Sequence, residues 1–556
     1  MEQQGFPVVE EVVLQIFSWL DACDLCRVQA VNKFFCRLSS DNHLWKILFF
    51  EKHPSRRLRG GRGILYPSLG PDGEDHNGRA IKKLPRRAGL TLRQAHRQNW
   101  KTLYRIAWNW EQGRCTKLHV QGNQTHDQDN LVRAAALSGP LTSIAIRNRV
   151  VAHFAANDPS VSGLLPGLGD PDERSLVTSI ALDQSPNAPP DVLRLAYFHE
   201  VGVFSVCEIS TTFLPHVPEQ GPEHGLSRKL YHLGAHSSEG FAPRLRQSNI
   251  VSSAYHHPLL VALSEAFHIL VYYLPTVVSP PSDGGFQSSP PLRPILQHSL
   301  HSYTSFPPSS MSLTRTYKST FKLVVAYSVP VFPAHFTAGA CEISISLNEQ
   351  ALPPGSSSSG TFARVTSTRM ASANTPFGWF EAPTSPSSCQ DPESEPKVST
   401  LRHQAELAME QWDRKVGKVA GVQTDGKWVV LGSEDGVLQV YRLYRPPSTS
   451  SNATPMSLTY QHNLYGHTAG ISGLKVTDGR CVSLGKEGVV RVWDLEEGWA
   501  VEVGGASWAD EDGEGKGDTG GRAVAEGRPV VVTFDERRIV ATDTRRGGVN
   551  IWRFDT

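Results

Sequence analysis

Gly513–Thr519 is a glycine-rich stretch that contains Lys516, the kind of segment that can wrap the phosphates of a nucleotide. A phosphate-binding loop of this type needs Ser or Thr directly after the lysine, to bind magnesium, and an earlier glycine at fixed spacing. Gly517 and Asp510 occupy these two positions. The spacing therefore does not predict a nucleotide site.

Histidine and cysteine could bind a metal ion or act as nucleophiles, and the chain contains 21 and 8 of them. His256 and His257 are adjacent, but no HExxH helix surrounds them. Cys23 and Cys26 form a lone CxxC, without the second pair that a zinc site needs. The GxSxG motif of serine hydrolases is also missing. We therefore predict no catalytic residue, no metal site and no cofactor.

Length and composition indicate a multidomain globular protein. The chain has 556 residues, 39% of them hydrophobic, and a formal net charge of +1. This length predicts two or more domains, and the balanced charge favours neither a nucleic-acid nor a membrane partner. The apolar stretch Pro258–Leu274 is short for a bilayer span and contains Glu265. Acidic residues stand where a secretory signal has basic ones, so we predict a cytoplasmic and/or nuclear protein.

Apolar residues at helical spacing predict three short helices near the N-terminus, within a domain over residues 1–53. The first helix covers Glu11–Leu20, the second follows Asp24, and the third starts near Leu44. A core of this size is marginal, so we expect the domain to gain stability from a partner. Each apolar residue could instead serve only the local core.

Residues 54–89 are rich in Gly, Pro and Arg and predict a flexible basic linker. An Arg-Gly-Gly-Arg-Gly segment within it leaves RNA binding open as an alternative function. Helical periodicity returns over residues 90–115, where Trp100, Tyr104 and Trp108 share one side and Gly113 ends the helix.

From residue 116 to 556 the sequence repeats a pattern of apolar strands and tight turns, which predicts an all-β propeller of about seven blades. Low-complexity stretches near 279–310, 353–400 and 509–524 predict long disordered loops between or within blades. The copies of the repeat are Leu131–Asn157, Leu176–Ser210, Ile250–Leu274, Phe321–Ser346, Val419–Leu443, Tyr465–Asp494 and Val530–Phe554, and an eighth blade is left open near Thr361–Pro383.

The N-terminal segment resembles the F-box. The family pattern of a glutamate, an apolar helix, Asp-Leu, spaced valines and a late Leu-Trp is present in order, at Glu11, Asp24, Leu25, Val28, Val31, Leu44 and Trp45. One departure is Val9 at the usual position of a proline, with Pro7 two residues earlier.

The resemblance implies that this segment binds a Skp-type adaptor protein, and through it a cullin, with part of its apolar surface. A few apolar anchors carry most of the binding energy in such interfaces. The residues implied at the interface are Pro7, Leu14, Ile16, Phe17, Leu20, Leu25 and Val28.

Residues 465–494 resemble a WD repeat, because Gly-His is followed at the family's separation by Val-Trp-Asp. The family's Trp–Ser/Thr–His–Asp hydrogen-bond set looks eroded in this copy, since Glu487 replaces the Asp and Gly485 stands where Ser is usual. The residues implied to hold the repeats together are Gly466, His467, Trp493, Asp494, Asp435 and Trp552.

An F-box, a linker helix and a propeller in this order resemble an F-box/WD protein. The resemblance implies a non-catalytic substrate-recognition adaptor of a Skp–cullin–F-box ubiquitin ligase, whose propeller binds an unknown target protein for ubiquitination. A WD-repeat scaffold without a ligase role is the alternative function.

Overall fold

A computed structural model describes residues 9–52, 99–120, 132–138, 141–146, 149–155, 162–168, 176–185, 192–200, 202–210, 227–233, 249–275, 291–301, 308–316, 319–331, 335–348, 362–373, 416–444, 456–496, 498–503, 530–542 and 549–555. The linker predicted over residues 54–89 lies outside them, as does most of the predicted low-complexity stretches.

Four short helices and one longer helix form the described N-terminal part: α1 Glu10–Phe17, α2 Ala22–Gln29, α3 Lys33–Ser39, α4 Asn42–Lys52 and α5 Trp100–Gln112. The prediction of three helices before residue 53 is wrong, because the second one is split. The Asn32 side chain accepts a hydrogen bond from the backbone N–H of Phe35 at 2.7 Å, and this cap starts α3. Gly113, with φ of 65°, ends α5 as predicted.

The core of the helical domain includes α5. Trp100 and Ala107 are buried together with residues of α1, α2 and α4, and the Phe49 and Trp100 ring centroids are 5.6 Å apart. The Asn42 side chain also accepts a hydrogen bond from the backbone N–H of Trp100 at 2.7 Å. The core of the four short helices alone is marginal in size. The helix α5, which is distant in sequence, completes this core.

Seven antiparallel sheets of four strands each follow. The strands are β1 Thr116–Val120, β2 Val132–Ser138, β3 Leu141–Ile146, β4 Arg149–Ala155, β5 Ser162–Leu168, β6 Val177–Leu182, β7 Val192–His199, β8 Phe204–Ser210, β9 Ser227–Leu233, β10 Ile250–His256, β11 Leu259–Ser264, β12 His268–Tyr273, β13 Ile295–His301, β14 Pro308–Arg315, β15 Thr320–Val331, β16 His335–Leu347, β17 Ala363–Ser372, β18 Val419–Thr424, β19 Trp428–Ser433, β20 Leu438–Tyr444, β21 Ser457–Leu464, β22 Ile471–Thr477, β23 Arg480–Gly485, β24 Val490–Asp494, β25 Ala500–Val503, β26 Val532–Phe534, β27 Arg538–Thr542 and β28 Val549–Arg553.

The sheets are arranged as the blades of a propeller. The first strand of each, β2, β6, β10, β14, β18, β22 and β26, contacts the first strand of the next sheet around a closed ring. This confirms the prediction of a small helical domain followed by an all-β propeller. The six sheets from β6 onward have packed cores of described side chains. For the sheet β2–β5, the structure describes the strand pairing and the side chains of residues 134–137.

The predicted eighth blade near Thr361–Pro383 is wrong. Its strand, β17, pairs with β16 from Gly339 to Leu347 and is the fourth strand of the blade β14–β17. Likewise, β13 and the start of β14 lie inside the stretch predicted as a loop near 279–310, so that stretch supplies strands to two blades. The fourth strand of a blade lies on the outer edge and buries only part of its surface. The apolar pattern of such a strand in the sequence is therefore weak.

The ring closes through the strand that follows α5. β1 pairs with β28, from Thr116 opposite Arg553 to Val120 opposite Val549, so the last blade takes its outer strand from the start of the propeller sequence. The helix α5 is therefore connected directly to the last blade. No helix among the described residues is long and apolar enough to cross a membrane.

Candidate partner-binding site

Helix α1 buries one face and exposes apolar residues on another. Val13 and Phe17 are 4% and 5% exposed and face the helical core. Four apolar residues at helical spacing remain accessible, from 47% at Ile16 to 75% at Trp19. We call these the α1 stripe: Val9, Val12, Ile16 and Trp19. An exposed stripe of large apolar side chains on a folded domain is typical of a surface that a partner covers.

The residues predicted to bind a Skp-type adaptor fall into four groups. Ile16 belongs to the α1 stripe, whereas Phe17 and Leu25 are buried. Leu14, Leu20 and Val28 are half-buried and pack against the helical core. Pro7 lies outside the described residues.

Sequence reasoning did not place Val9, Val12 and Trp19 at the interface. The available signal was their helical spacing relative to Ile16, on α1 and directly beside its ends, but the period alone does not say which face of an amphipathic helix points inward. Val31, 64% exposed, is a further accessible apolar residue of this domain.

Helix α5 joins the F-box to the last blade through Trp110, which is 1% exposed. The ring of Trp110 stacks on Phe554 with centroids 3.9 Å apart. Its indole N–H donates to the carbonyl of Glu536 at 2.8 Å, and the Arg480 guanidinium lies 4.3 Å from its centroid. The Asn109 side chain donates to the carbonyl of Phe554 at 2.9 Å. One helix thus contributes to the F-box core at its start and to the propeller core at its end.

A second contact joins α4 to α5. The Lys52 ammonium lies 2.6 Å from a carboxylate oxygen of Glu111 and 3.9 Å from the ring centroid of Trp108. Both side chains of the ion pair are largely buried, at 27% and 18% exposure, and a cation over an aromatic face adds about 0.5–1 kcal/mol. These contacts fix the direction in which the F-box leaves the propeller.

The F-box is attached to the face of the propeller that carries the turns between first and second strands. Glu536 lies in the turn from β26 to β27, and Arg480 begins β23 after the turn from β22. The turns between second and third strands, such as the one after β23, lie at the opposite ends of the same strands. The two faces are therefore distinct surfaces, and one of them is remote from the F-box.

On that remote face the blade β22–β25 contains a hydrogen-bond chain. The Trp493 indole N–H donates to the Ser483 hydroxyl at 2.8 Å, and Ser483 Oγ lies 2.7 Å from His467 Nε2. His467 Nδ1 is hydrogen-bonded to the Glu487 carboxylate. Burial lowers the pKa of His467, and the Glu487 hydrogen bond opposes that shift.

The interpretation that this set is eroded is therefore wrong for this blade. Ser483, two residues before Gly485, supplies the hydroxyl, and Glu487 takes the place of the aspartate. A Cβ atom at Gly485 would overlap the Glu487 carboxylate. Gly485 thus makes room for the longer acidic side chain.

The remaining repeat residues have structural surroundings. A side chain at Gly466 would be crowded, since a Cβ there would lie 3.1 Å from both Arg491 and Trp493. Asp494 is buried, and its carboxylate accepts the N–H of Glu496 at 2.9 Å. The Asp435 carboxylate lies 3.2 Å from the Ser433 hydroxyl, within its own turn, and Trp552 is buried in the same core as Trp110.

Several charged side chains among the described residues of the remote face form ion pairs. Glu434 lies 2.8 Å from the Lys418 ammonium and 3.7 Å from that of Lys486. Arg491 is 2.8 Å from Glu502. Arg442 and Arg491 both lie on the third strand of a blade. Arg442 pairs with the first residue of β19 and lies at the end nearer the F-box face, so these two arginines do not converge on one site.

Three cysteine thiols in the part of the chain that the structure describes have a raised pKa. Burial raises the pKa of the Cys115, Cys207 and Cys341 thiols to about 11, so these thiols are protonated near neutral pH and are poor nucleophiles. Across the same residues, no group of three or more His, Cys, Asp or Glu side chains could hold a metal ion.

Comparison with known families decides the relationship. The sequence profile of the family described as F-box protein pof12 beta-propeller matches residues 229–516, more than half of the chain. The chain belongs to this family. A second profile, described as F-box-like, matches residues 10–51, which confirms the predicted F-box. F-box and propeller together are typical of non-catalytic adaptor subunits.

Solved structures with some likeness include two β-propeller domains. That of Cps50 (Swd1) from Myceliophteria thermophila is 10% identical, with 79% of this chain and 99% of that chain covered and a TM-score of 0.36. That of Doa1 is 12% identical, with 78% and 96% covered and a TM-score of 0.34. No curated protein matches the sequence.

Proposed function

We propose that this pof12-family protein is a substrate-recognition adaptor of a Skp–cullin–F-box ubiquitin ligase. The observation that supports this most directly is the α1 stripe, an accessible apolar surface on a folded F-box, next to apolar residues of the same helix that are buried in the core. The stripe would bind the Skp-type adaptor, which in turn would bind the cullin. Domain profiles and helix packing agree with this role.

The magnitude of burial is sufficient for a specific interface. Covering a large apolar side chain fully contributes about 1.5–3 kcal/mol, and Trp, with Tyr and Arg, is enriched among the residues that dominate binding energy. Trp19, 75% exposed in the free chain, is therefore the expected main anchor, with Ile16 beside it. Phe17 and Leu25, which lie in the core, would support the surface from behind.

The propeller face remote from the F-box is the proposed surface for the target protein. A bound target there would be held at a fixed distance from the cullin, because α5 is packed into both domains. We also propose, from the composition of the chain, that the protein acts in the cytoplasm and/or nucleus.

Capture of a Skp-type adaptor and a cullin by the purified chain tests this function. Ile16→Asp and Trp19→Asp place a charge on the stripe without entering the core, and each is expected to lower adaptor capture at least about tenfold. Val251→Asp, on an exposed apolar residue of the propeller, is the matched control and should bind as the unaltered protein does.

The reverse result is equally clear. If the folded, unaltered chain captures no Skp-type adaptor, the adaptor function is wrong. A WD-repeat scaffold would then be the function to pursue. If both stripe variants bind the adaptor undiminished, the α1 stripe is not the binding surface. Thermal melts of each variant show that the propeller stays folded.

A further inference from the structure

Two histidines that are distant in sequence lie side by side on the blade β10–β13. His268 begins β12, His301 ends β13, and they are directly opposite each other in the antiparallel pairing. Their ring centroids are 4.3 Å apart, with an angle of 67° between the ring planes. His268 is half-buried and His301 is exposed, so solvent reaches the pair.

The backbone holds His268 in place. Phe267, in the turn from β11 to β12, has a φ of 59° and is 4% exposed, with its ring 5.5 Å from that of Tyr327. The N–H of His268 donates to the Ser264 hydroxyl at 3.0 Å. The backbone of His268 therefore has a fixed position at the start of β12.

We propose that His268 and His301 together form a two-ligand site for a divalent transition-metal ion. Nitrogen–zinc bonds are about 2.0–2.1 Å long, so two imidazole nitrogens on one ion lie about 3–4 Å apart. Rings whose centroids are 4.3 Å apart reach that separation through small rotations of the side chains.

Imidazole ligands select the class of ion. They suit Zn²⁺, Ni²⁺ and Cu²⁺, whereas Mg²⁺ and Ca²⁺ prefer oxygen. The described residues contain no cluster of three or more metal-binding side chains, so the proposed site takes two ligands from them.

A bound ion would join the third and fourth strands of the blade. Because the two residues occupy fixed opposite positions only in the folded state, metal binding would stabilise the folded protein by mass action. This inference is independent of the proposed ligase function.

Titration of the full chain with ZnCl₂, followed by calorimetry and thermal melting, tests the site. His268→Gln and His301→Gln should each weaken the binding event at least about tenfold, since loss of a direct ligand exceeds the 10–100-fold cost of losing a supporting one, and should abolish the zinc-dependent rise in Tm. His462→Gln, on a half-buried histidine of the outer strand β21, is the matched control. MgCl₂ should have no effect on any of them.

Comparing each variant with the unaltered protein subtracts the background of zinc binding by the other histidines of the chain. If His301→Gln binds zinc with the affinity of the unaltered protein and keeps the rise in Tm, the proposed site is wrong. His301 is exposed, so its replacement leaves the fold intact and decides the matter even if His268→Gln is unstable.

Discussion

At the scale of single residues, the hydrogen-bond chain through Ser483 depends on the missing side chain at Gly485. Glu487 reaches His467 only because the space that a Cβ atom would fill is empty. The hydrogen-bond set of the WD repeat is thus retained by two linked changes: a glutamate at position 487 in place of the aspartate, and a glycine at position 485 in place of the serine. Either change alone would disrupt the hydrogen-bond set that the two changes together preserve.

Gly485→Ser should destabilise the propeller by about 1–3 kcal/mol, because it displaces Glu487 and leaves His467 without its partner. Adding Glu487→Asp, which shortens the acid, should restore most of that loss. Urea unfolding of the two single variants and the double variant measures the coupling. Gly417→Ser, where a Cβ would meet no atom within 4 Å, is the control; strictly additive effects would contradict the linkage.

Acid sensitivity also belongs to single residues. Burial, and then the positive charge of Arg194, lower the pKa of His257 from 6.5 to about 4. In the unfolded chain the same imidazole takes up a proton near its ordinary pKa. Its contribution to stability is therefore complete above pH 6.5 and is lost as the pH falls towards about 4.

His257→Gln should reduce this loss of stability over the same pH range. Urea unfolding at pH 7.5 and at pH values between about 6.5 and 4 should show a steeper decline for the unaltered protein than for the variant. His43→Gln, on the exposed surface of α4, should decline in parallel with the unaltered protein. Equal slopes for all three would refute a role for His257.

At the scale of elements, α5 belongs to two cores at once. Trp100 and Ala107 complete the helical domain, while Ile106 and Trp110 are buried with the last two blades. The helix is therefore a rigid connection between the two domains.

Trp110→Ala should uncouple the domains, since truncating a buried tryptophan costs about 3–5 kcal/mol. We expect two separate melting transitions in place of one. Trp108→Ala, at a residue 36% exposed, should keep most of the coupling. A single, unshifted transition for Trp110→Ala would show that α5 does not connect the domains mechanically.

At the scale of the whole molecule, the propeller needs the segment that precedes it. β1 supplies the outer strand of the last blade, and α5 covers the core of that blade. A chain that starts at residue 121 should therefore be less stable than one that starts at residue 99, with a lower Tm in a thermal melt. Equal melting temperatures would mean that β1 and α5 are dispensable for ring closure.

The sequence by itself determined the order of the domains. Local patterns suffice for this: helical spacing on α1 and α5, a glycine at the end of α5, and strand–turn repeats that recur at each blade. It also indicated Gly466, His467 and Trp493, because a Gly-His and a Trp-Asp at fixed separation identify a WD repeat.

Only the tertiary structure decided which residues face inward and which meet across the chain. Phe17 and Ile16 are neighbours on one apolar helix, and packing against α3, with the Phe17 and Phe35 ring centroids 5.7 Å apart, buries the first and leaves the second exposed. Ser483, His268 and His301 owe their partners to strand register. β17 joined an existing blade for the same reason: pairing between strands is non-local, and no local pattern encodes it.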